Sequence, residues 1–277
     1  MAVGINLAKK YSDKLAEAFE YSNKLAGKFS DEYKFTGVNT VIVTSIVTEA
    51  LTDYSRTAAA GRYGTNSELQ DDIQTMVLQR DRSFSKTVDK GNYIEQEFVK
   101  TGAKVVKAYM DEQVGPEIVR FTLGELADNA GTKITKSAVP TKDTILGMLT
   151  EIEVAMDDEH VPETERYIAV ANKYVAMLRL SLTNCDDITD QLLLKGIVGK
   201  FGSLHVIGVS EADLPTNIWA VAWQKSCAIK PQTIDDCKVT NDPVGISGMV
   251  VEGRFRYGAF VIEKRKKGVV TLGKSGT

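Results

Sequence analysis

The 277-residue sequence predicts an α+β fold in which a long β-hairpin projects from a compact body. Three observations predict it. All six prolines, Pro116, Pro140, Pro162, Pro215, Pro231 and Pro243, lie after residue 115, so the first two-fifths of the chain is free of the strongest breaker of helices and sheets. From Val38 the apolar period changes from helical to alternating, with β-branched residues on both faces. After Gly91-Asn92 the period turns helical again and runs to Gly131.

Residues 5–30 carry Ala8, Tyr11, Leu15, Ala18, Phe19, Leu25 and Phe29 at spacings that fall on one helical face, with Lys9, Lys10, Asp13, Lys14 and Glu17 on the other. The pattern fits an amphipathic arm, or equally a helix packed on its own domain. In the next segment Val38, Thr40, Ile42, Thr44 and Ile46 alternate with Val41, Val43, Ser45 and Val47. That is a strand of about ten residues, long against the usual ~5–6. Its expected partner is residues 73–88, where Met76, Leu78 and Phe84 alternate with Thr75, Val77 and Ser83, and Arg80 and Arg82 share the face of Met76. The segment between them is rich in Gly, Ala, Thr, Ser and Asn, and a loop of that length inside a compact domain usually means function or disorder. A two-stranded hairpin is marginal alone in water, and long exposed edges invite other chains. Something outside the subunit should cover it.

The helical stretch that follows places Ile94, Phe98, Val105 and Tyr109 on one stripe, with Val99, Val106 and Met110 beside them. Gly115-Pro116 either kinks this spine or restarts it. Ile118, Val119, Thr122, Leu123, Leu126 and Ala127 then carry it to a stop at Asn129-Ala130-Gly131. From Pro140 the texture is that of an α/β unit: a helix begun by Thr141, a buried strand in ERYIAVAN, a helix in KYVAMLRLS, and strands at 204–209 and 218–223. The last section is strand-rich, with strands at 233–239, 250–256, 259–262 and 269–270 around a turn at Lys264–Lys267.

Composition narrows the function. Hydrophobic residues at 43% and charged residues at 26% exclude global disorder. A net charge of −3 argues against a protein whose main work is gripping phosphates by bulk charge. No apolar run approaches the ~18–20 residues of a membrane helix, and the start MAVGINLAKKYSDK lacks the apolar core of a secretory signal, so synthesis and folding in a cytoplasm are expected. Cys185, Cys227 and Cys237 stand far apart, as reduced and mostly buried thiols do.

The search for chemistry returns almost nothing. Phosphate-loop, dinucleotide, zinc-helix and nucleophile-elbow motifs are all missing from the sequence. His160 lies in DDEHVP, the pattern of a solvated loop, and His205 sits on an alternating strand. Asp157, Asp158 and Glu159, and likewise Asp186, Asp187 and Asp190, lack the spaced ligands and glycine turn of a calcium loop. Trp219 and Trp223, four apart on a strand, share a face and should fill core. No catalytic, cofactor or metal site is expected, and the chain reads as a structural protein rather than an enzyme.

The order of elements nevertheless resembles one family over almost the whole chain: the major capsid proteins of tailed bacteriophages, whose Hong Kong ninety-seven type shell fold encapsulins share. FTGVNTVIVTSI followed by DYSRTAAAGRYGTNSELQDDIQTMVLQRDRSFSKTVDKGN is similar to the family's extended loop. PEIVRFTLGELADNAG looks like the end of its spine helix, and NDPVGISGMVVEGRFRYGAFVIEKRKKGV like its closing strands.

The resemblance implies an amino-terminal arm at 1–36, an extended β-hairpin loop at 37–90, a peripheral domain with the spine helix at 91–139 and 233–277, and an axial domain at 140–232. It implies a closed icosahedral shell of pentamers and hexamers of this chain around non-specifically packaged double-stranded DNA, assembled in a host bacterial cytoplasm and found in the virion capsid. Portal and separate scaffolding proteins are the further partners implied; no membrane is. Tyr54, Arg56, Arg62, Tyr63, Arg80 and Arg82 would make the inter-subunit contacts of the extended loop. Some members weld their shells by an isopeptide bond from a loop lysine, but no lysine occurs here between Lys34 and Lys86. Others begin with a cleaved scaffolding segment, whereas this sequence starts at the arm. An encapsulin-like compartment for cargo enzymes is the alternative reading, with a phage tail-tube component behind it.

Overall fold

The computed structural model describes residues 24–33, 35, 40–48, 50–57, 59–64, 68–91, 102–183 and 199–275. In chain order these form β1 (Thr40–Ile46), β2 (Asp71–Val77), β3 (Arg80–Asp89), α1 (Gly102–Tyr109), a π-helical turn (Met110–Val114), α2 (Gly115–Asp128) and β4 (Thr132–Lys136). There follow α3 (Ile145–Asp158), β5 (Arg166–Ala171), α4 (Asn172–Thr183), β6 (Lys200–Phe201), β7 (Leu204–Val209) and β8 (Ile218–Gln224). The chain ends with β9 (Ala228–Ile229), β10 (Gln232–Asn241), β11 (Gly248–Tyr257), β12 (Phe260–Val261) and β13 (Val269–Lys274). The mixture of helices and multi-stranded sheets is the α+β class expected.

The main core is built on a six-stranded sheet of order β4-β13-β8-β5-β7-β6. β5 runs parallel to β7 and β4 parallel to β13, while β8 is antiparallel to both β5 and β13. Strands buried on both faces read as continuous apolar runs rather than alternations, and β5 and β8 show this, being buried along almost their whole length. Val119, Leu123 and Leu126 of α2 join this core with Leu149, Ile152 and Met156 of α3, at the spacings of three and four that one helical face requires. Trp219 and Trp223 are both buried there, as expected.

This sheet draws on segments that the resemblance assigns to two domains. Residues 132–136 and 269–274 belong by the resemblance to the peripheral domain at 91–139 and 233–277, yet both hydrogen-bond into the sheet that holds 166–224. The expected division at 140 and 233 therefore cuts across one sheet. Alternation in a sequence shows that a strand exists, and not which distant strand it pairs with.

A second sheet, β10-β11-β3, carries the spine. Ile118 of α2 packs on Phe255 and Tyr257 of β11, with Phe84, Met110, Val114 and Phe121 beside them. The spine neither restarts nor stops at Gly115-Pro116. A proline lacks the N–H of the helical ladder and its ring meets the carbonyl four residues back. The wider π turn just before it accommodates both, and the Gly115 N–H bonds to Met110 O, five residues back. Ile94, Phe98 and Val99 lie outside the described residues.

The hairpin also differs from expectation. β1 and β2 pair antiparallel from Thr40↔Val77 to Ile46↔Asp71, but the chain leaves this ribbon at Leu78-Gln79. β3 then pairs with β11 over ten residues, Arg80↔Tyr257 to Asp89↔Gly248. The expected single strand 73–88 is two strands in two sheets. Its period of two runs through the pivot unchanged, so the change of partner leaves no mark on the pattern.

Of the expected arm, residues 24–30 form turns and a bridge rather than helix, and they pack on their own body. Phe29 stacks on Trp223 with ring centroids 5.5 Å apart, and the Trp223 indole donates to Lys28 O at 3.0 Å. Lys24 Nζ donates to Gly208 O at 2.7 Å, and Arg265 pairs with Glu32 at 2.7 Å. The rest of the arm, including Ala8, Tyr11, Leu15, Ala18 and Phe19, lies outside the described residues, as does Cys185. Cys227 is buried and Cys237 half-buried, and neither forms a disulfide. Two smaller differences occur. Residues 142–144 form a turn before α3, where the Thr141 N–H donates to Thr144 Oγ1 at 2.9 Å. Lys264–Lys267 lie in a short 3-10 helix.

Phe29→Ala is expected to destabilise the subunit by ~3–5 kcal/mol, because it removes a buried ring and its stacking partner's cover. Urea denaturation checks this; a midpoint equal to the parent's would show that residues 24–30 do not hold the body.

Candidate inter-subunit surface

β1 and β2 form a ribbon with two unlike faces. The inner face buries Val43 (3% exposed) and Met76 (1%) against Phe35, Leu78, Ile229 and Ile262. On the outer face the register sets Ile42 beside Thr75, Thr44 beside Ile73 and Thr40 beside Val77. Ile42 and Ile73 are each 63% exposed, and Ile46 and Val77 about as open. β-branched pairs of this kind stabilise sheets by burial against a covering layer, which the described residues do not supply here. The sequence reading named none of these four side chains as a site. Their signal was present, since β-branched residues on both faces of a two-stranded ribbon imply two covered faces.

The loop at the far end of the ribbon is ordered by its own contacts. Tyr54 and Tyr63 meet edge to face at 4.9 Å, the Ser55 N–H donates to Arg62 O at 3.0 Å, and Thr52 Oγ1 donates to Tyr63 O at 3.1 Å. Gly64, at φ +91°, lies so close to Thr52 that an added Cβ would stand 2.7 Å from its hydroxyl. Tyr63 is 83% exposed, and Arg56 and Arg62 are exposed beside it. The structure thus brings together Tyr54, Arg56, Arg62 and Tyr63.

Arg80 and Arg82 are elsewhere. Both lie on β3, outside the ribbon, with partners in their own chain. Arg82 Nε donates to Glu117 Oε1 at 2.8 Å, and the Arg80 guanidinium sits 5.0 Å from the Phe121 ring centre. Glu117 Oε1 also accepts from the Tyr257 hydroxyl at 2.9 Å, so one carboxylate ties the spine to both β3 and β11. Burial first, and then this bond, push the Tyr257 hydroxyl up to about 12. Asp81, beside them, is held below the usual carboxylate range by a two-pronged bond from Arg254 at 3.0 and 2.7 Å.

Other charged groups are paired within the chain. A cleft of about 530 Å³ is lined by Glu153, Asp157, Glu163, Glu165, Ser203 and His205. Three of its four carboxylates bond within the chain: Asp157 to the buried Arg166 at 2.7 Å, Glu165 to Lys225 at 2.8 Å, and Glu153 to the Ser203 N–H at 2.6 Å. In the basic run, Lys266 pairs with Glu263 and Lys267 with Glu159. His160 is an exposed left-handed turn residue, and His205 lies against Tyr167 at 5.5 Å. Asp186, Asp187 and Asp190 lie outside the described residues. Among the described residues no group of three His, Cys, Asp or Glu could hold a metal ion, and no helix is long and apolar enough to cross a membrane.

The fold is one shared with phage capsid structures. A structure from Mycobacterium phage Che8 matches with a TM-score of 0.81 at 22% identity, over 100% of both chains. The capsid of cyanophage P-SCSP1u matches with a TM-score of 0.78 at 13% identity, over 98% of this chain and 94% of that one. A virus-like particle from Pyrococcus furiosus matches with a TM-score of 0.53 at 10% identity, over 87% of this chain and 88% of that one. No protein-family profile and no curated protein matches the sequence. The fold anticipated by the sequence resemblance is the fold the chain has.

Tyr257 stays neutral to a higher pH in the folded subunit than in the unfolded chain. The stability it contributes is whole below its ordinary value of 10.0 and is lost as the pH rises toward about 12. Tyr257→Phe is therefore expected to be slightly less stable than the parent at pH 8 and to lose less stability between about pH 10 and 12. Parallel alkaline denaturation curves for the two proteins would contradict this.

Proposed function

We propose that this chain is a major capsid protein, which assembles with copies of itself into an icosahedral shell enclosing double-stranded phage DNA. The observation that carries the reading is the ribbon, with one face buried on its own body and the other open and β-branched along its whole length. Such a face is stable in water only under a cover, and the capsid fold supports a neighbouring copy as that cover. In this reading Tyr54, Arg56, Arg62 and Tyr63 at the tip contact the neighbour, while Arg80 and Arg82 fix the root of the ribbon to the spine. Residues 140–232 supply the part that surrounds the five- and six-fold axes. Assembly takes place in the host cytoplasm, with a separate scaffolding protein and a portal, and the chain's role is structural rather than enzymatic.

A shell around cargo enzymes is the second reading, favoured by the likeness to the Pyrococcus furiosus virus-like particle. The contents of purified shells decide between the two.

Electron microscopy of the purified protein is expected to show closed shells. Deleting residues 52–68, which removes the tip and leaves β1 and β2 intact, is expected to yield a folded subunit that forms none. Shells of parental size from that deletion would overturn the reading. With no lysine between Lys34 and Lys86, the shells are also expected to dissolve to single chains on a denaturing gel. A ladder of covalent oligomers would show a cross-link from another donor.

A further inference from the structure

At the root of the ribbon two glutamines grip one short stretch of the body. Gln74 Nε2 donates to Val261 O at 2.8 Å, and Gln74 Oε1 accepts from the Glu263 N–H at 2.9 Å. These groups flank Ile262, and a peptide of an adjacent parallel strand would bond the same pair. Gln79 adds a second hold at the pivot: its Oε1 accepts from the Ala259 N–H at 3.2 Å, and its Nε2 donates to Glu125 Oε2 of α2 at 3.1 Å. The opposite edge of the gripped stretch is already paired, β12 with β9. Two side-chain amides thus take the place of a missing strand along its free edge.

We propose that Gln74 and Gln79 are positioning residues that fix the angle at which the ribbon leaves the body and, through that angle, the curvature of the shell. The second half of this rests on the capsid reading; the first does not. The apolar contacts at the root, Val43, Met76 and Leu78 on Phe35, Ile229 and Ile262, hold the ribbon down but do not fix its direction, because hydrophobic contact is non-directional. Hydrogen bonds weaken steeply when bent, and those of Gln74 and Gln79 hold the chain at two points, one within β2 and one at the pivot. The lever makes the angle matter. A seven-residue strand is roughly 23 Å long, so a swing of about 10° moves its far end by about 4 Å, more than a contact tolerates.

The test uses the full chain and the variants Gln74→Leu and Gln79→Leu, which keep side-chain bulk and remove both bonds. Gln79 is exposed, so its variant folds even where loss of the half-buried Gln74 lowers stability. Nitroxides carried on unnatural residues at the exposed positions Thr44 and Asp143 report the ribbon-to-body distance in unassembled subunits by pulsed electron resonance. The parent is expected to give one narrow distance, and each variant a distribution about doubled in width. Shells of the parent are expected to have one diameter, and those of the variants several. Narrow, unshifted distances in Gln79→Leu would overturn the clamp. Broadened distances with shells of a single, parental diameter would overturn its link to curvature. A parent that forms no shells defeats the capsid reading instead, and the distances still judge the clamp.

Discussion

A two-stranded ribbon can bury only one of its faces on the body that carries it. The rest of this molecule follows from that limit. The inner face of β1 and β2 finds its cover in a small cluster around Phe35, Leu78, Ile229 and Ile262, separate from the main core. The outer face, Ile42, Ile46, Ile73 and Val77, has no such cover within the described chain. Left open, it would be an aggregation hazard, because flat apolar edges pair with whatever strand or surface they meet. The fold holds the ribbon against the body by its inner face, which leaves the outer face as the surface a partner would cover.

Holding the ribbon requires a rigid body behind it, and the body is built as two rigid parts that share the spine. α2 gives one stripe to the six-stranded sheet through Val119, Leu123 and Leu126, and a second to the sheet β10-β11-β3 through Ile118. Charged groups within each part are arranged as shared partners. Glu117 accepts from both Arg82 and Tyr257, and Arg166, wholly buried, donates to Asp157, Ser203 Oγ and the carbonyls of Val161 and Pro162. A buried guanidinium is costly unless its nitrogens are bonded, and each nitrogen of this one is.

Much of this was legible in the sequence, and the misses share one cause. The strands, the spine helix and the α/β unit were found because each has a local period: Ile118 to Ala127 for the helix, Thr40 to Ile46 for the ribbon. The buried pair Trp219 and Trp223 was found the same way. What could not be read was pairing at a distance. β4 and β13 look like isolated short strands until they meet, more than 130 residues apart, as parallel neighbours. The pivot at Leu78-Gln79 is invisible because Met76, Leu78 and Phe84 keep one alternation across two sheets. For the same reason Arg80 and Arg82 read as loop residues, although they bond to the spine. That Tyr54, Arg56, Arg62 and Tyr63 lie in one loop was legible because a long polar segment between strands is conspicuous by itself.

The ribbon divides its interactions by kind, and the division has a physical logic. Its outer surface is apolar and β-branched, suited to broad contacts whose strength depends on area and little on angle. Its root is polar and directional, with the amides of Gln74 and Gln79 set against a fixed strand edge. An assembly made of one kind of subunit needs both. Non-directional contacts alone would bind copies at many angles and give no closed figure, since closure demands that each copy be rotated from the last by a set amount. Directional bonds placed on the outer surface would fix that rotation but would face water whenever the subunit was free, where their net contribution is small. Placed at the root, the same bonds are satisfied within the subunit before any partner arrives. In the proposed shell, the geometry of association would be set in the monomer and burial of the outer face would supply the attraction.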